Sequence, residues 1–137
     1  MEIKRLHPGH EGEVIAASIL FDGPADPDAT RRFLAIEGHH LFLAYEGDRA
    51  VGFISGIEMV HPDKGTEMFV YELAVEEGYR RRGIGRDLAE RLARTARERG
   101  CYGMWVLTDD DNAAALATYR RAGASTESTH VMLAWTF

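Results

Sequence analysis

The sequence predicts an α/β (α+β) fold, one domain over residues 1–137 with a mixed central sheet of about six to seven strands flanked by about four helices. Three observations carry this. Met68 to Val75 is rich in β-branched and aromatic residues and lacks Pro and Gly, the composition of a buried strand. After Glu76-Glu77-Gly78-Tyr79, a glycine-containing turn opens a helix whose Ile84, Leu88, Leu92 and Ala96 recur every fourth residue, and Gly100 ends it. Tyr102 to Thr108 then returns as a strand, and a strand–helix–strand succession of this length implies a parallel crossover.

The other elements follow in chain order. Glu2 to Leu6 alternates as a short first strand that Pro8-Gly9 breaks. Val14, Ile15, Ser18 and Ile19 form a stripe of helical spacing, which predicts a helix from about Glu11 to Leu20. Phe21-Asp22-Gly23-Pro24-Ala25-Asp26-Pro27 has the turn chemistry of a loop. Asp28 is positioned to cap a second helix through Ile36, with Phe33 and Ile36 buried. His40 to Tyr45 and Arg49 to Met59 flank Glu46-Gly47-Asp48 as a hairpin, and Gly52 and Gly56 predict a bulge or a close backbone approach in its second strand. The segment His61 to Thr66 turns back into the strand carrying Glu72, completing an antiparallel meander. Asp109-Asp110-Asp111-Asn112 opens a helix over Ala113 to Ala122, with Gly123 as the residue after its C-cap. Val131 to Trp135 reads as a last strand closing the sheet.

With 45% hydrophobic and 28% charged residues the chain has the make-up of a globular protein, so disorder is excluded. A formal net charge of −6 argues against general nucleic-acid binding despite the local arginine cluster. No window approaches 18 uninterrupted apolar residues and no apolar stretch follows Met1 to Arg5, so no membrane association and a cytoplasmic location are expected. The lone Cys101 precedes an apolar run and is expected to pack in the core. Adjacent His39 and His40 would point to opposite faces of a strand and make a poor chelating pair; no metal site is evident.

The turn itself points to a bound anion. Gly83 and Gly85 flank Ile84 and let the backbone curl with its N–H groups inward, and the helix that follows adds unpaired donors and the positive end of its dipole. Arg80, Arg81, Arg82 and Arg86 add full charges around it. A plain strand-to-helix turn with a solvated basic run is the bland alternative. The dinucleotide fingerprint fails because position 88 is Leu, and the P-loop fails for want of Gly-Lys-Ser/Thr.

Arg80-x-x-Gly83-x-Gly85 between an apolar strand and an amphipathic helix resembles the coenzyme A pyrophosphate motif of the GCN5-related N-acetyltransferases. Asn112 at a helix start and Tyr119 seven residues later, before Gly123, continue the resemblance, and the order of predicted elements extends it over the whole chain. The resemblance implies acetyl-CoA as co-substrate, with Arg80, Arg81, Arg82, Gly83, Ile84, Gly85 and Arg86 at its pyrophosphate. It further implies that the backbone of Leu73, Ala74 and Val75 lies along the pantetheine, that Asn112 contacts the coenzyme arm, and that Tyr119 stands near the thioester sulfur as general acid. Glu72 is the candidate base, since a carboxylate interrupting an apolar strand is costly unless it serves a site. For each there is a bland reading: Tyr119 as a core aromatic, Glu72 paired with an arginine at the sheet edge, and the aspartates as helix-dipole partners.

Tyr71 to Val75, Arg80 to Ile84 and His130 look like one branch, the aminoglycoside 3-N-acetyltransferases, which carry aspartate where Glu72 stands. This chain also looks shorter before Leu41. The branch resemblance implies an aminoglycoside as small-molecule amine acceptor, with Glu72, Asp109 and His130 as substrate-binding candidates; independently, Glu72, the Asp109-Asp110-Asp111 run and Glu58 or Glu67 are expected to face one cleft, which in an acidic chain favours a small polycation. A peptide or metabolite amine acetyltransferase and a non-catalytic acyl-CoA-binding module are the alternatives. A homodimer is compatible with either.

Overall fold

The computed structural model describes residues Met1–Phe137. Five strands form one sheet in the order β1 (Glu2–Arg5), β2 (His39–Glu46), β3 (Arg49–His61), β4 (Gly65–Val75) and β5 (Met104–Val106). Neighbours are antiparallel up to β4, and β5 runs parallel to β4 after the crossover through α3 (Ile84–Glu98), as the spacing predicts. The remaining helices are α1 (Glu11–Ala16), α2 (Pro27–Ala35) and α4 (Ala113–Arg121).

Several local expectations shift. The first helix breaks after Ala16 and continues only as a 3-10 turn, Ser18–Leu20. The second is capped by Asp26, whose side chain accepts from Ala29 N–H, with Pro27 filling the first helical position where its missing N–H goes unused. Asp28 instead pairs with Arg31 and Arg32 in the first turns. Ile36 follows the helix and is exposed, while Phe33 is half-buried. Val131 to Trp135 pairs with nothing, so the sheet has five strands where six to seven were expected.

The alternation of β2 divides the core. Phe42 and Ala44 pack with Ile54, Met68 and Val70 against Leu88 and Leu92 of α3, whereas Leu41 and Leu43 pack with Phe53, Val14 and Leu34 on the opposite face. Both strand glycines serve the α3 face. A Cβ on Gly56 would come within 2.8 Å of Leu92, and one on Gly52 within 3.2 Å of Ile84 and of the Ala74 carbonyl. Glycine at these two places lets the helix sit directly on β3.

His40, fully buried, ties four elements together. Arg5 Nη2 lies 2.9 Å from His40 Nδ1, and Nε2 lies 2.6 Å from Glu58 Oε2. Because arginine only donates, Nδ1 accepts and the single ring proton sits on Nε2 facing Glu58. Burial holds His40 below its ordinary pKa, in keeping with a neutral ring. Glu58 also accepts from Arg99 Nε at 2.9 Å; burial alone would raise its pKa, and these two partners hold it below the ordinary value. This carboxylate is therefore committed to the fold.

Candidate active site

Strand β4 leaves the sheet at Val75, passes a 3-10 turn at Glu77–Tyr79 and enters α3 through Arg80 to Gly83. Six consecutive main-chain N–H groups, Arg81 to Arg86, have no acceptor in the chain; the first helical bond is Asp87 N–H to Gly83 C=O at 2.9 Å. No side chain caps α3. Such a row of free donors at a helix N-terminus is chemically matched to the oxygens of a pyrophosphate. The conformation requires left-handed backbone at Gly83 (φ 81°) and at Arg81 (φ 62°), the latter a non-glycine residue at a cost of order 1–3 kcal/mol.

The arginines do not all present free charge. Arg80 Nε donates to the Val75 carbonyl at 3.0 Å, clamping the turn to the strand end, and Arg82 lies over the Tyr79 ring at 4.9 Å. Arg86 is paired with Asp87 and Glu90. Gly85 marks where three elements converge, since a Cβ there would meet Thr118 of α4 at 3.2 Å and Val75 and Leu73 of β4 at 3.8 and 3.9 Å.

On the other face of the sheet lies an open cavity of about 570 Å³, lined by Phe21, Phe33, Phe53, Phe69, Tyr71 and other apolar side chains, with Glu72 as its carboxylate. A bulge puts Glu72 there. Gly56 pairs with Val70 and Ser55 pairs with Glu72, which leaves Tyr71 as the extra residue. Before the bulge Met68 and Val70 face α3 and Phe69 faces the cavity; after it Leu73 and Val75 face α3 and Glu72 shares the cavity with Tyr71. Ser55 Oγ accepts the Glu72 N–H at 3.2 Å. Burial, and next the charge of Asp22, push the Glu72 carboxyl above its ordinary pKa.

The pairing of β4 with β5 covers only Met68 to Val70, so the same bulge begins the stretch of β4 whose outer edge is unpaired. The main chain of Leu73 and Ala74 is thereby open on the side that leads to Gly85. Tyr119 of α4 packs against the α3 side of the core together with Leu73 and Val75, and its hydroxyl takes no partner in the chain. Burial raises its pKa, so the phenol is protonated at neutral pH.

The remaining candidates are placed less centrally. Asn112 is the N-cap of α4, its Oδ1 accepting Ala115 N–H at 3.1 Å, which leaves its amide NH₂ unused. Asp109 is exposed in the turn before it and does not line the cavity. His130 is exposed on the C-terminal segment beside Ser128, also away from the cavity. Glu58 is consumed by His40 and Arg99, and Glu67 accepts from Tyr102, so the expected group of carboxylates in one cleft does not assemble. Asp22 acts on Glu72 instead. Asp22 lies in the loop that follows the Ser18–Leu20 turn, and only the fold brings its charge near Glu72.

Residues 13–124 match the sequence model of the Acetyltransferase (GNAT) family, and the chain belongs to that family. It is an N-acetyltransferase whose co-substrate is acetyl-CoA, in line with solved relatives of this fold that hold CoA or a CoA conjugate. It is 37% identical over 111 residues to the N-alpha-acetyltransferase RimI of Mycobacterium tuberculosis, a match covering 81% of this chain and 68% of that protein. It is 33% identical to the streptothricin acetyltransferase of Streptomyces lavendulae over 74% of this chain, and spans about half (49%) of that enzyme. In fold it is similar to the aminoglycoside acetyltransferase meta-AAC0020 from an uncultured soil metagenomic sample, with TM-score 0.91 at 22% identity. That superposition covers 99% of this chain and 95% of the other. No helix is long and apolar enough to cross a membrane.

Proposed function

We propose that the chain acetylates a primary amine carried on an apolar body, such as the α-amine of a peptide whose first side chain is apolar, with that body in the aromatic cavity and the amine beside Glu72. The observation that carries this reading is the lining of the cavity: Phe21, Phe33, Phe53, Phe69 and Tyr71 surround one carboxylate. Such a pocket rewards one cation on an apolar frame, because burying further charges without partners is costly. When bound, acetyl-CoA supplies the acetyl thioester. The N–H groups of Arg81 to Arg86 hold its pyrophosphate, and the unpaired main chain of Leu73 to Val75 guides the pantetheine. Glu72 accepts the proton that the ammonium must lose before the neutral amine attacks, directly or through water, and the Tyr119 hydroxyl gives its proton to the departing sulfur. Aligning the two reactants supplies most of the rate, with effective molarities on the order of 10⁵ M or more.

A small polycation such as an aminoglycoside is the second reading, favoured by Asp22 adding a second negative charge near Glu72 and by the net charge of −6. The two readings separate in kcat/KM for peptides with apolar N-terminal residues, gentamicin-type aminoglycosides and spermidine, each at low and high salt. The first requires peptides to be turned over fastest with little salt dependence. Preference for a polycation that weakens with salt, as screening of exposed charges demands, establishes the second.

The role of Glu72 has its own test. Its raised pKa places the acid limb of the kcat/KM profile above the ordinary glutamate range, since activity needs the ionised form. Asp22→Asn removes a charge that disfavours ionisation, so the limb is expected to move to lower pH, and Glu72→Gln is expected to abolish it with a rate loss of roughly 10²-fold or more. A limb unmoved in both variants assigns the base elsewhere.

A further inference from the structure

Four polar side chains line the aromatic cavity, Thr30, His39, Ser55 and Glu72, and two of them already have a role. Glu72 is the base, and Ser55 Oγ accepts the Glu72 N–H at 3.2 Å. Of the other two, His39 stands out. Its neighbour His40 points to the opposite face of β2 and is committed to Arg5 and Glu58, whereas the His39 ring lies against Phe33 on the cavity side, with centroids 5.0 Å apart. His39 Nδ1 is sealed from solvent and bonds nothing, while Nε2 is open and also bonds nothing in the chain. A sealed N–H without an acceptor is the costlier orphan, so the ring proton belongs on Nε2. Burial lowers the pKa of this ring, which keeps it neutral at physiological pH.

The strand register fixes where this donor stands. His39 pairs with Ile57 and Ile57 with Phe69, while Leu41 pairs with Ser55 and Ser55 with Glu72. His39 is therefore two strands across and one same-face step along from Glu72, about 12 Å between Cα atoms, a span that about three extended residues cover. The floor between them is apolar, formed by Leu41, Ile57 and Phe69. Resting on the reading that the cavity takes a peptide α-amine beside Glu72, we infer that His39 Nε2–H donates a hydrogen bond to a backbone carbonyl of the acceptor's second or third residue. His39 then selects acceptors by length and by the presence of that carbonyl, while Glu72 selects them by their amine. It stands away from the reacting atoms, so its effect falls on acceptor binding rather than on the chemical step.

The test compares kcat/KM for an apolar tripeptide amide with that for phenylethylamine, an amine with an apolar body and no carbonyl, in the wild type, His39→Phe and His39→Gln. The wild type is expected to acetylate both, the tripeptide better. Phe keeps a ring against Phe33 and removes the donor, so kcat/KM for the tripeptide should fall roughly tenfold through KM while phenylethylamine is unaffected. Gln, whose amide NH₂ reaches the place of Nε2, should restore most of that loss. Equal losses for both acceptors, no loss for either, or a loss that Gln does not restore overturns the donor role of His39 and leaves the cavity reading standing. A wild type that turns over neither acceptor sinks the cavity reading and this inference with it. Heteronuclear NMR of the ring nitrogens reads the tautomer without any variant, and a proton found on Nδ1 overturns the inference even where the Phe variant does not fold.

Discussion

Replacing Gly83 by Val is expected to eliminate measurable acetyl-CoA binding while the chain remains folded. Gly83 sits at φ 81°, and its Cβ would lie 3.4 Å from Arg86 Nη2. A β-branched side chain does not settle in left-handed backbone, so the turn must adopt another conformation and carry its N–H groups with it. Each charge-assisted hydrogen bond is worth about 1.5–3 kcal/mol, and losing two of the six donors already weakens binding roughly a hundredfold or more. Gly83→Ala, which keeps the left-handed strain but lacks the branch, should be weakened less. Titration calorimetry of the folded Val variant decides the matter: affinity equal to wild type would place the pyrophosphate away from this turn.

Tyr119→Phe is expected to lower kcat by roughly 10²- to 10⁴-fold with coenzyme affinity nearly unchanged. The ring packs against the α3 core cluster, so removing the oxygen preserves the packing, and the hydroxyl has no partner in the chain to lose. A purely structural tyrosine would show the opposite pattern, normal turnover by a normally stable protein. Single-turnover kinetics with a saturating acceptor isolate the chemical step, and an unchanged rate there returns Tyr119 to the core.

What the sequence revealed and what it hid separate along the distance over which each feature is encoded. The α3 stripe of Ile84, Leu88, Leu92 and Ala96 is buried as its period requires, and the turn before it has the free donors that its two glycines imply. Gly52 and Gly56 do mark close approach, with register shifts beside both. These features are local. The Tyr71 bulge is not, because it is a mismatch between two strands and neither strand records it alone. Glu58 resembled a free acid until the fold brought it His40 from β2 and Arg99 from beyond α3. Asp26 outcompeted Asp28 as cap because Pro27 fits the first helical position, and Val131 to Trp135 has the residues of a strand but pairs with no strand of the sheet.

The extra residue at Tyr71 has a consequence for how this gene can vary. Strand parity downstream of a bulge depends on length: deleting the Tyr71 codon would leave Val70 opposite Gly56 and Glu72 opposite Ser55 in plain alternation, with the carboxylate still on the cavity face, whereas regular pairing at the present length would turn Glu72 against α3 and Leu73 into the cavity. Substitutions within Phe69 to Val75 alter the pocket by degrees, whereas a one-residue deletion between Glu72 and Val75 moves the residues after it to the opposite face. A deep insertion–deletion scan should therefore find loss of Tyr71 the best tolerated single-residue deletion within Phe69 to Val75.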